Sequence, residues 1–268
     1  MSQPVARRAA YLVYGVACYA IFLVTFLYAI GFVGGFWRSL GLTGAPFRPM
    51  DSDPAQGGVL GALAVDALLL GLFALQHSGM ARRGFKAAWT RLVPEPIERS
   101  TYVLATSLCL ALLFWQWRPL GTAVVWDATG TAAEPALVAL SLAGWLLVLV
   151  TTFLINHFDL FGLRQVWYAF RAQPYPGLEF RTPALYRAVR HPIYLGFIVA
   201  FWATPLMSLG HLVFAAATTG YILVAIQLEE RDLVHRFGDV YREYRRSTRT
   251  LVPLPPARGE KRPERLQA

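Results

Sequence analysis

The chain alternates long apolar runs with short polar segments, and four of these runs are long enough to cross a membrane as helices. A hydrocarbon core of about 30 Å takes about 20 helical residues, and the four runs cover approximately 9–34, 58–77, 100–117 and 136–161. A fifth run, approximately 192–228, is too long for a single crossing. Pro205 and Gly210 near its middle favour a break, because proline lacks an amide donor and glycine has a flexible backbone. We therefore predict a tight helical hairpin, 192–207 and 210–228, after the four long spans.

Beyond the hairpin, apolar residues recur at helical spacing from 231 to 246, while arginines fill the opposite face. The apolar positions are Leu233, Phe237, Val240, Tyr241 and Tyr244. This pattern is typical of an amphipathic helix on a membrane surface. The segment 162–191 is rich in proline and is expected to be an irregular cytoplasmic connection, and the Pro- and Arg-rich tail 254–268 is expected to be disordered. The predicted fold is an all-α polytopic membrane bundle, with residues 1–268 in one domain.

Composition and charge agree with a membrane protein. The chain is 56% hydrophobic and only 15% charged, which would leave too much apolar surface on a soluble protein. We predict that both termini are cytoplasmic, because 22 of the 25 Lys and Arg residues then lie on that side and only Arg38, Arg48 and Arg118 lie outside. The net charge of +9 is then juxtamembrane charge, so we predict no nucleic-acid partner. The two cysteines, Cys18 and Cys109, lie singly in apolar runs and indicate neither a disulfide nor a metal site.

Two polar clusters bracket the hairpin, where ionisable groups are energetically expensive and usually functional. In the first cluster, Arg190 and His191 precede Pro192, a residue that suits the first turn of a helix. The free amides of that helix end favour an anion, with Tyr194 one turn away and Gly196 permitting close approach. The structural alternative is that Arg190 binds lipid headgroups and His191 caps the helix. The second cluster is Glu229-Glu230, which is either a pair of ligand-binding acids or a solvated helix end.

These clusters together resemble a known group of membrane enzymes. The order Tyr-x-x-x-Arg-His-Pro-x-Tyr-x-Gly, a hydrophobic hairpin and then Glu-Glu-x-x-Leu-x-x-x-Phe-Gly-x-x-Tyr-x-x-Tyr is similar to the isoprenylcysteine carboxyl methyltransferase and phospholipid methyltransferase group, over about 152–253. The resemblance implies S-adenosylmethionine as cofactor. It implies that His191 and Arg190 contact its methionine part, that Tyr186 and Tyr194 line its pocket, and that Glu229 or Glu230 holds its polar groups. One departure is Thr182-Pro183-Ala184-Leu185, where many relatives carry a glycine.

Further motifs resemble the methanethiol S-methyltransferase family of bacterial membrane enzymes. They are Gln76-His77-Ser78-Gly79-Met80, Ile97-Glu98-Arg99-Ser100-Thr101-Tyr102, Trp115-Gln116-Trp117-Arg118-Pro119 and Asn156-His157-Phe158-Asp159-Leu160, followed by Phe161-Gly162-Leu163-Arg164-Gln165. This likeness covers about 9–253. It implies methyl transfer to a small thiol in a small closed pocket, in the bacterial cytoplasmic membrane, with lipid around the protein and no obligatory protein partner. Gln165 could then serve the cofactor or be an ordinary loop donor.

Methyl transfer to a thiol requires a thiolate, and an alkyl thiol has a pKa above the ~8.5 of cysteine, so a base is expected. The candidate bases are Asp66, His77, His157 and Asp159. We favour His77 as base or substrate-positioning group, supported by Asp159 or His157, because it is predicted at the depth of the cofactor motif. Asp66 lies inside an apolar helix, too far along it to touch His77. For each of these residues a structural role, such as a cap or an interhelical hydrogen bond, is about as plausible as a catalytic one.

Three other functions remain open from the sequence. A methyltransferase for a lipid or a prenylated cysteine would show a lateral opening and a lipid-sized apolar tunnel. A non-enzymatic haem-binding membrane protein would need two of His77, His157 and His191 to face each other. A transporter would need paired intramembrane charges and internal repeats, and Asp66 alone is thin support for it.

Overall fold

The computed structural model describes residues 3–42, 44, 46–52, 58–177 and 180–253. Within that part of the chain, five helices are long and apolar enough to cross a membrane. They are α1 (Val5–Gly34), α3 (Val59–Ala81), α5 (Glu95–Gln116), α6 (Glu134–Ile155) and α10 (Leu209–Phe237). The predicted all-α polytopic bundle is therefore confirmed, and the chain is an integral membrane protein. The prediction of a disordered tail falls on 254–268, outside the described residues.

Shorter elements connect these helices. They are α2 (Phe36–Ser39), α4 (Arg83–Trp89), α7 (His157–Leu160), α8 (Leu163–Phe170), a 3-10 turn (Ala184–Arg187), α9 (Pro192–Trp202), α11 (Asp239–Ser247), and the strands β1 (Val124–Asp127) and β2 (Leu206–Ser208). The prediction that 162–191 is wholly irregular was wrong, because α8 occupies its first part before the prolines begin. The span predicted at 136–161 ends earlier, at Ile155, and Asn156 begins the separate turn α7 with its side-chain carbonyl accepting from the amide of Asp159.

The predicted hairpin is present, with unequal arms. Its first arm, α9, has 11 residues and is about 16 Å long, so it reaches only part of the way across a membrane. As predicted, Pro192 is its first residue. The turn contains Pro205 and β2, which pairs antiparallel with β1 from the loop between α5 and α6. This pairing fixes the far end of the hairpin to that loop.

The second arm, α10, continues beyond the predicted end at 228. It has 29 residues and includes Glu229, Glu230 and the first part of the predicted amphipathic helix. The sequence contains no helix breaker until Gly238, whose φ of 59° begins a new direction, so only α11 is a separate helix. Tyr241 and Tyr244 were predicted to face lipid, but both are buried and pack their rings against Phe180. This correction makes α11 a protein-packing element at the end of α10.

The bundle core contains large side chains from α1, α5, α6, α9 and α10. Its most buried members include Phe32, Met50, Leu113, Phe114, Trp117, Trp145, Phe201 and Phe214. Helices α6 and α9 approach most closely at two glycines. A Cβ on Gly144 would lie 2.6 Å from the backbone nitrogen of Ala200, and one on Gly196 would lie 2.8 Å from the carbonyl oxygen of Gly144. Small residues of this kind let membrane helices pack backbone against backbone.

Candidate active site

Glu230, near the end of α10, is the centre of a buried ion cluster. Its Oε1 lies 2.7 Å from Nε of Arg190 and 3.0 Å from Nε2 of His191, and its Oε2 lies 3.1 Å from Nε of Arg245. The side chains of Glu230 and His191 are only 6% and 5% exposed. A carboxylate this deeply buried requires paired cations and hydrogen bonds. The structure therefore joins the two polar clusters of the sequence through one carboxylate.

Arg190 also fixes the segment that follows α11. Its guanidinium donates to the carbonyls of Arg245 and Thr248 and to the hydroxyl of Thr250. The backbone adds two more bonds, from the amide of Arg190 to the carbonyl of Arg249 at 2.7 Å and from the amide of His191 to that of Thr250 at 3.1 Å. Because these acceptors and Glu230 engage both ends of its guanidinium, Arg190 orients the motif within the protein. Its predicted contact with a cofactor remains a prediction.

Glu229 occupies a more open position than its neighbour. Its side chain is 44% exposed, its Oε2 accepts from the Tyr194 hydroxyl at 2.9 Å, and it lies 3.9 Å from Nδ1 of His191. The ring of Tyr194 stacks on His191, with 5.5 Å between the centroids. Tyr186 lies within electrostatic range of Glu229. Burial is the larger cause that raises the pKa of the Tyr186 phenol, and the Glu229 carboxylate raises it further. The structure thus brings together four residues, Glu229, Tyr186, Tyr194 and His191. The Glu229 carboxylate among them is open to a ligand.

The start of the motif contains a strained residue. Ala184 has a φ of 37°, a left-handed conformation that glycine adopts much more easily than alanine. It lies in the segment 182–185, where the motif resemblance led us to expect a glycine. By contrast, Gly196 faces Gly144 in the contact between α6 and α9. Helix packing accounts for its small size, and its predicted role in cofactor approach remains untested.

His77 lies near the end of α3 beside a group of hydroxyls. The Tyr102 hydroxyl is 3.0 Å from its Nδ1 and 3.1 Å from its Nε2, and the Thr106 hydroxyl is 3.3 Å from Nδ1. The next residue, Ser78, bonds to the Tyr221 hydroxyl at 2.9 Å. Tyr102 lies within electrostatic range of both Tyr221 and Glu229. The structure therefore brings His77 to the same end of the bundle as the cofactor motif.

Asp159 belongs to a second group, formed by α7 and α8. Its Oδ1 accepts from the Tyr175 hydroxyl at 2.5 Å and lies 3.7 Å from a guanidinium nitrogen of Arg164. Burial is the larger cause that raises the pKa of Tyr175, and the hydrogen bond to Asp159 raises it further. Gln165 donates to the backbone carbonyl of Asp159 at 3.2 Å, and its buried Oε1 has no hydrogen-bond partner among the described residues. This buried acceptor is available to a ligand donor.

Arg99 connects this second group to His77. Its Nε donates to the carbonyl of Leu160 at 2.8 Å, and its guanidinium lies over the ring of Tyr102, 5.1 Å from the centroid. A cation in that position interacts favourably with the ring face. Asp159 and His77 are therefore linked through Arg99 and Tyr102 and do not touch directly.

The other two candidate bases lie elsewhere. His157 places its Nε2 2.8 Å from the Tyr19 hydroxyl and its Nδ1 2.8 Å from the Thr152 hydroxyl. Burial lowers the pKa of His157, which favours a neutral ring that ties α1 to the end of α6. Asp66 is fully buried, and its Oδ1 accepts from the backbone amide of Arg118 at 2.9 Å. That bond holds the turn after α5, at the opposite end of this helix from Tyr102.

Tyr102, Tyr221, Arg99 and Tyr175 were not among the predicted site residues. Tyr102 and Arg99 lie within a motif that the sequence analysis identified, and Tyr221 is the only tyrosine of α10. The first two could have been found from that motif, whereas nothing in the sequence indicates which helix face Tyr221 occupies. In the described part of the chain, no group of three or more His, Cys, Asp and Glu side chains is arranged to hold a metal ion. His77, His157 and His191 each turn their ring nitrogens to different neighbours.

Comparison with known proteins identifies the family. The family model described as "Protein of unknown function (DUF1295)" matches residues 105–248. A methanethiol S-methyltransferase of Mycobacterium tuberculosis is 54% identical, over 93% of this chain and 98% of its own length. One from Crocosphaera subtropica is 51% identical over 95% and 96%, and methanethiol S-methyltransferase 1 of Bradyrhizobium diazoefficiens is 53% identical over 90% and 81%. No solved structure matches. The chain therefore belongs to the DUF1295 family and, within it, to the methanethiol S-methyltransferases.

Proposed function

We propose that this protein methylates methanethiol to dimethyl sulfide, with S-adenosylmethionine as the methyl donor. The observation that carries the proposal is the 54% identity, over 93% of the chain, to a relative named for this substrate and reaction. The site geometry supports it, because polar groups from α3, α5, α9 and α10 converge at one end of the bundle beside a reachable carboxylate.

The residues present fit the proposed cofactor. S-Adenosylmethionine carries an ammonium group, a sulfonium and ribose hydroxyls, and the half-exposed carboxylate of Glu229 can accept from the first or the last of these. Tyr102 and Tyr194 lie within electrostatic range of this carboxylate, and aromatic faces attract cations such as a sulfonium. The Oε1 of Gln165, which has no hydrogen-bond partner in the described part of the chain, is suited to a further ligand donor. We propose that Tyr186, Tyr194, His191 and Glu229 hold the cofactor, while Glu230 and Arg190 hold them in place.

When bound, the cofactor supplies an electrophilic methyl group on a positively charged sulfur. The protein has to align the thiol with that methyl group and exclude water. We assign His77 as the base that would take the proton from the thiol, and the resulting thiolate would be the acceptor of the methyl group that the bound cofactor would supply. Tyr102 orients His77, and the Asp159 group acts further away, by holding Tyr175 and, through Arg99, the position of Tyr102. His157 and Asp66 are not needed in this mechanism.

The site also fits the proposed orientation. If both termini are cytoplasmic, the cytoplasmic ends of the helices carry His77, His191, Glu229 and Asp159. A water-soluble cofactor is accessible there. Since these three methanethiol S-methyltransferases come from bacteria, we propose the bacterial cytoplasmic membrane as the location.

The test is to supply purified protein in lipid nanodiscs with S-adenosylmethionine and methanethiol and to measure dimethyl sulfide in the headspace. We expect product from the wild type, loss of turnover with retained adenosylhomocysteine binding in His77→Ala, and loss of that binding in His191→Ala. Absence of product, while the Mycobacterium tuberculosis relative is active in the same assay, contradicts the proposal. Undiminished adenosylhomocysteine affinity in His191→Ala contradicts the assigned cofactor site.

A further inference from the structure

A cleft of about 210 Å³ lies between α3 and α10. Its walls include Gly71, Phe73 and Ala74 of α3, and Ala217, Thr218 and Tyr221 of α10. Ala217 is exposed on the outside of the bundle, so the cleft begins at the surface that lipid would cover. None of these residues belongs to the proposed cofactor motif or to the base.

The polar groups of the cleft walls are already paired within the protein. The Thr218 hydroxyl donates to the carbonyl of Phe214 in its own helix at 2.6 Å, and the Tyr221 hydroxyl bonds to Ser78 at 2.9 Å. A charged solute entering here would lose its hydration and gain no partner, which is strongly unfavourable. A small neutral, weakly polar molecule loses little hydration free energy when it enters the same space.

The inner end of the cleft reaches the proposed base. Phe73 stacks on the ring of His77, with 5.3 Å between the centroids, and its ring also lies 6.0 Å from that of Tyr221. Ser78, the partner of Tyr221, follows His77 directly in α3. A molecule that moves along this cleft therefore arrives beside His77.

We infer that this cleft is the passage by which the neutral thiol enters from the bilayer and the thioether product leaves. The inference rests on the proposed function. The size of the cleft supports this occupant, because it is below the roughly 300–1,000 Å³ of pockets for larger ligands. A molecule of two or three heavy atoms fits such a space, whereas a lipid or prenyl chain needs more.

The route determines where the proton is lost. A thiol that crosses apolar walls arrives with its S–H bond intact, so the bond breaks inside the site and the proton passes to His77. Thiolate formed in bulk water does not use this path. We therefore expect kcat/KM, expressed for total methanethiol, to fall as the pH rises through the pKa of the thiol.

Filling the cleft tests the passage, and the chain offers a matched control. A Cβ on Gly71 or on Gly61 would meet no atom within 4 Å, and both glycines belong to α3. Only Gly71 lines the cleft. Gly71→Leu and, on the facing helix, Ala217→Leu should lower kcat/KM for methanethiol at least tenfold, whereas Gly61→Leu should stay within twofold of the wild type. Adenosylhomocysteine binding, unchanged in all three, establishes that each variant is folded.

Either of two results overturns the inference. In the first, the wild type is active, while Gly71→Leu and Ala217→Leu bind adenosylhomocysteine normally and keep kcat/KM within twofold of the wild-type value. The second is a phospholipid that copurifies with the wild type, is lost from Gly71→Leu and leaves kcat/KM unchanged, since a lipid chain is then the occupant. A wild type that forms no dimethyl sulfide contradicts the proposed function itself, so the two failures are distinguishable.

Discussion

Replacing Glu230 by alanine removes the carboxylate that Arg190, Arg245 and His191 share. Arg190 and His191 would keep their buried positions, with side chains only 10% and 5% exposed, and lose their carboxylate at 2.7 Å and 3.0 Å. Removing one partner of a buried pair costs about 3–5 kcal/mol, because the remaining charge stays uncompensated. For a chain of this size each kcal/mol shifts Tm by about 2–4 °C, so we expect Glu230→Ala to melt about 6–20 °C lower. Arg245 is 45% exposed and contributes little, because water screens it.

The assay combines thermal unfolding, followed by circular dichroism in detergent, with calorimetric titration of adenosylhomocysteine. Glu230→Gln keeps the shape of the side chain and should fall between the wild type and Glu230→Ala in both stability and affinity. The control is Asp239→Asn, which removes a carboxylate that is 95% exposed and paired, within the described part of the chain, with Arg242 alone, so its Tm should match the wild type. A Glu230→Ala protein that melts within about 2 °C of the wild type and binds adenosylhomocysteine equally well would refute the assignment of Glu230 as the organiser of the motif.

Four further outcomes are expected. Since burial lowers the pKa of His157, the unfolded state binds its proton more readily, and stability should decrease as the pH falls below about 6.5; His157→Asn should melt with a smaller dependence on pH over that range. Asp51→Ala should destabilise the protein by about 3–5 kcal/mol in thermal melts without changing the KM for the thiol, because Asp51 lies 2.8 Å from Nδ1 of the fully buried His211, far along α10 from the site. Ala184→Gly should raise stability by roughly 1 kcal/mol, and no gain in Tm would count against strain at this φ of 37°. Glu229→Gln should weaken adenosylhomocysteine binding at least tenfold with little change in Tm, and equal affinity would remove this carboxylate from the cofactor site.

Much of the fold was predictable from the sequence because membrane helices obey a simple length rule. Four long spans and a broken fifth run followed from apolar run length and from Pro205, and the structure confirms all of them. The errors fall at polar ends, where hydropathy changes before the helix does. Helix α10 continues through charged residues to Gly238, because hydrogen bonding within the backbone, unlike insertion into lipid, does not require apolar side chains.

The sequence motifs predicted which residues belong to the candidate site, but they did not predict which of those residues contact each other. Sequence motifs identified His77 and His191, but their surroundings depend on how the helices rotate against each other. That rotation is set by contacts such as Gly144 against Gly196, which run length does not reveal. The same limit explains why Asp66 and His157 remained candidate bases beside the favoured His77 in the sequence analysis. Each has a hydrogen-bond partner, Arg118 or Tyr19, that is distant in the chain.

Two adjacent glutamates show how the structure separates roles that the sequence leaves open. Successive residues on a helix point about 100° apart, so Glu229 and Glu230 face largely different neighbours and approach opposite nitrogens of the His191 ring, at 3.9 Å and 3.0 Å. Glu230 turns inward and is enclosed by Arg190, His191 and Arg245, whereas Glu229 turns toward Tyr194 and stays 44% exposed. A carboxylate already neutralised by several cations has little attraction left for a cationic ligand, and one bonded to a neutral phenol keeps its charge available. Glu229 is therefore the acid that we propose for the sulfonium cofactor, whereas the guanidinium groups of Arg190 and Arg245 are bound to Glu230.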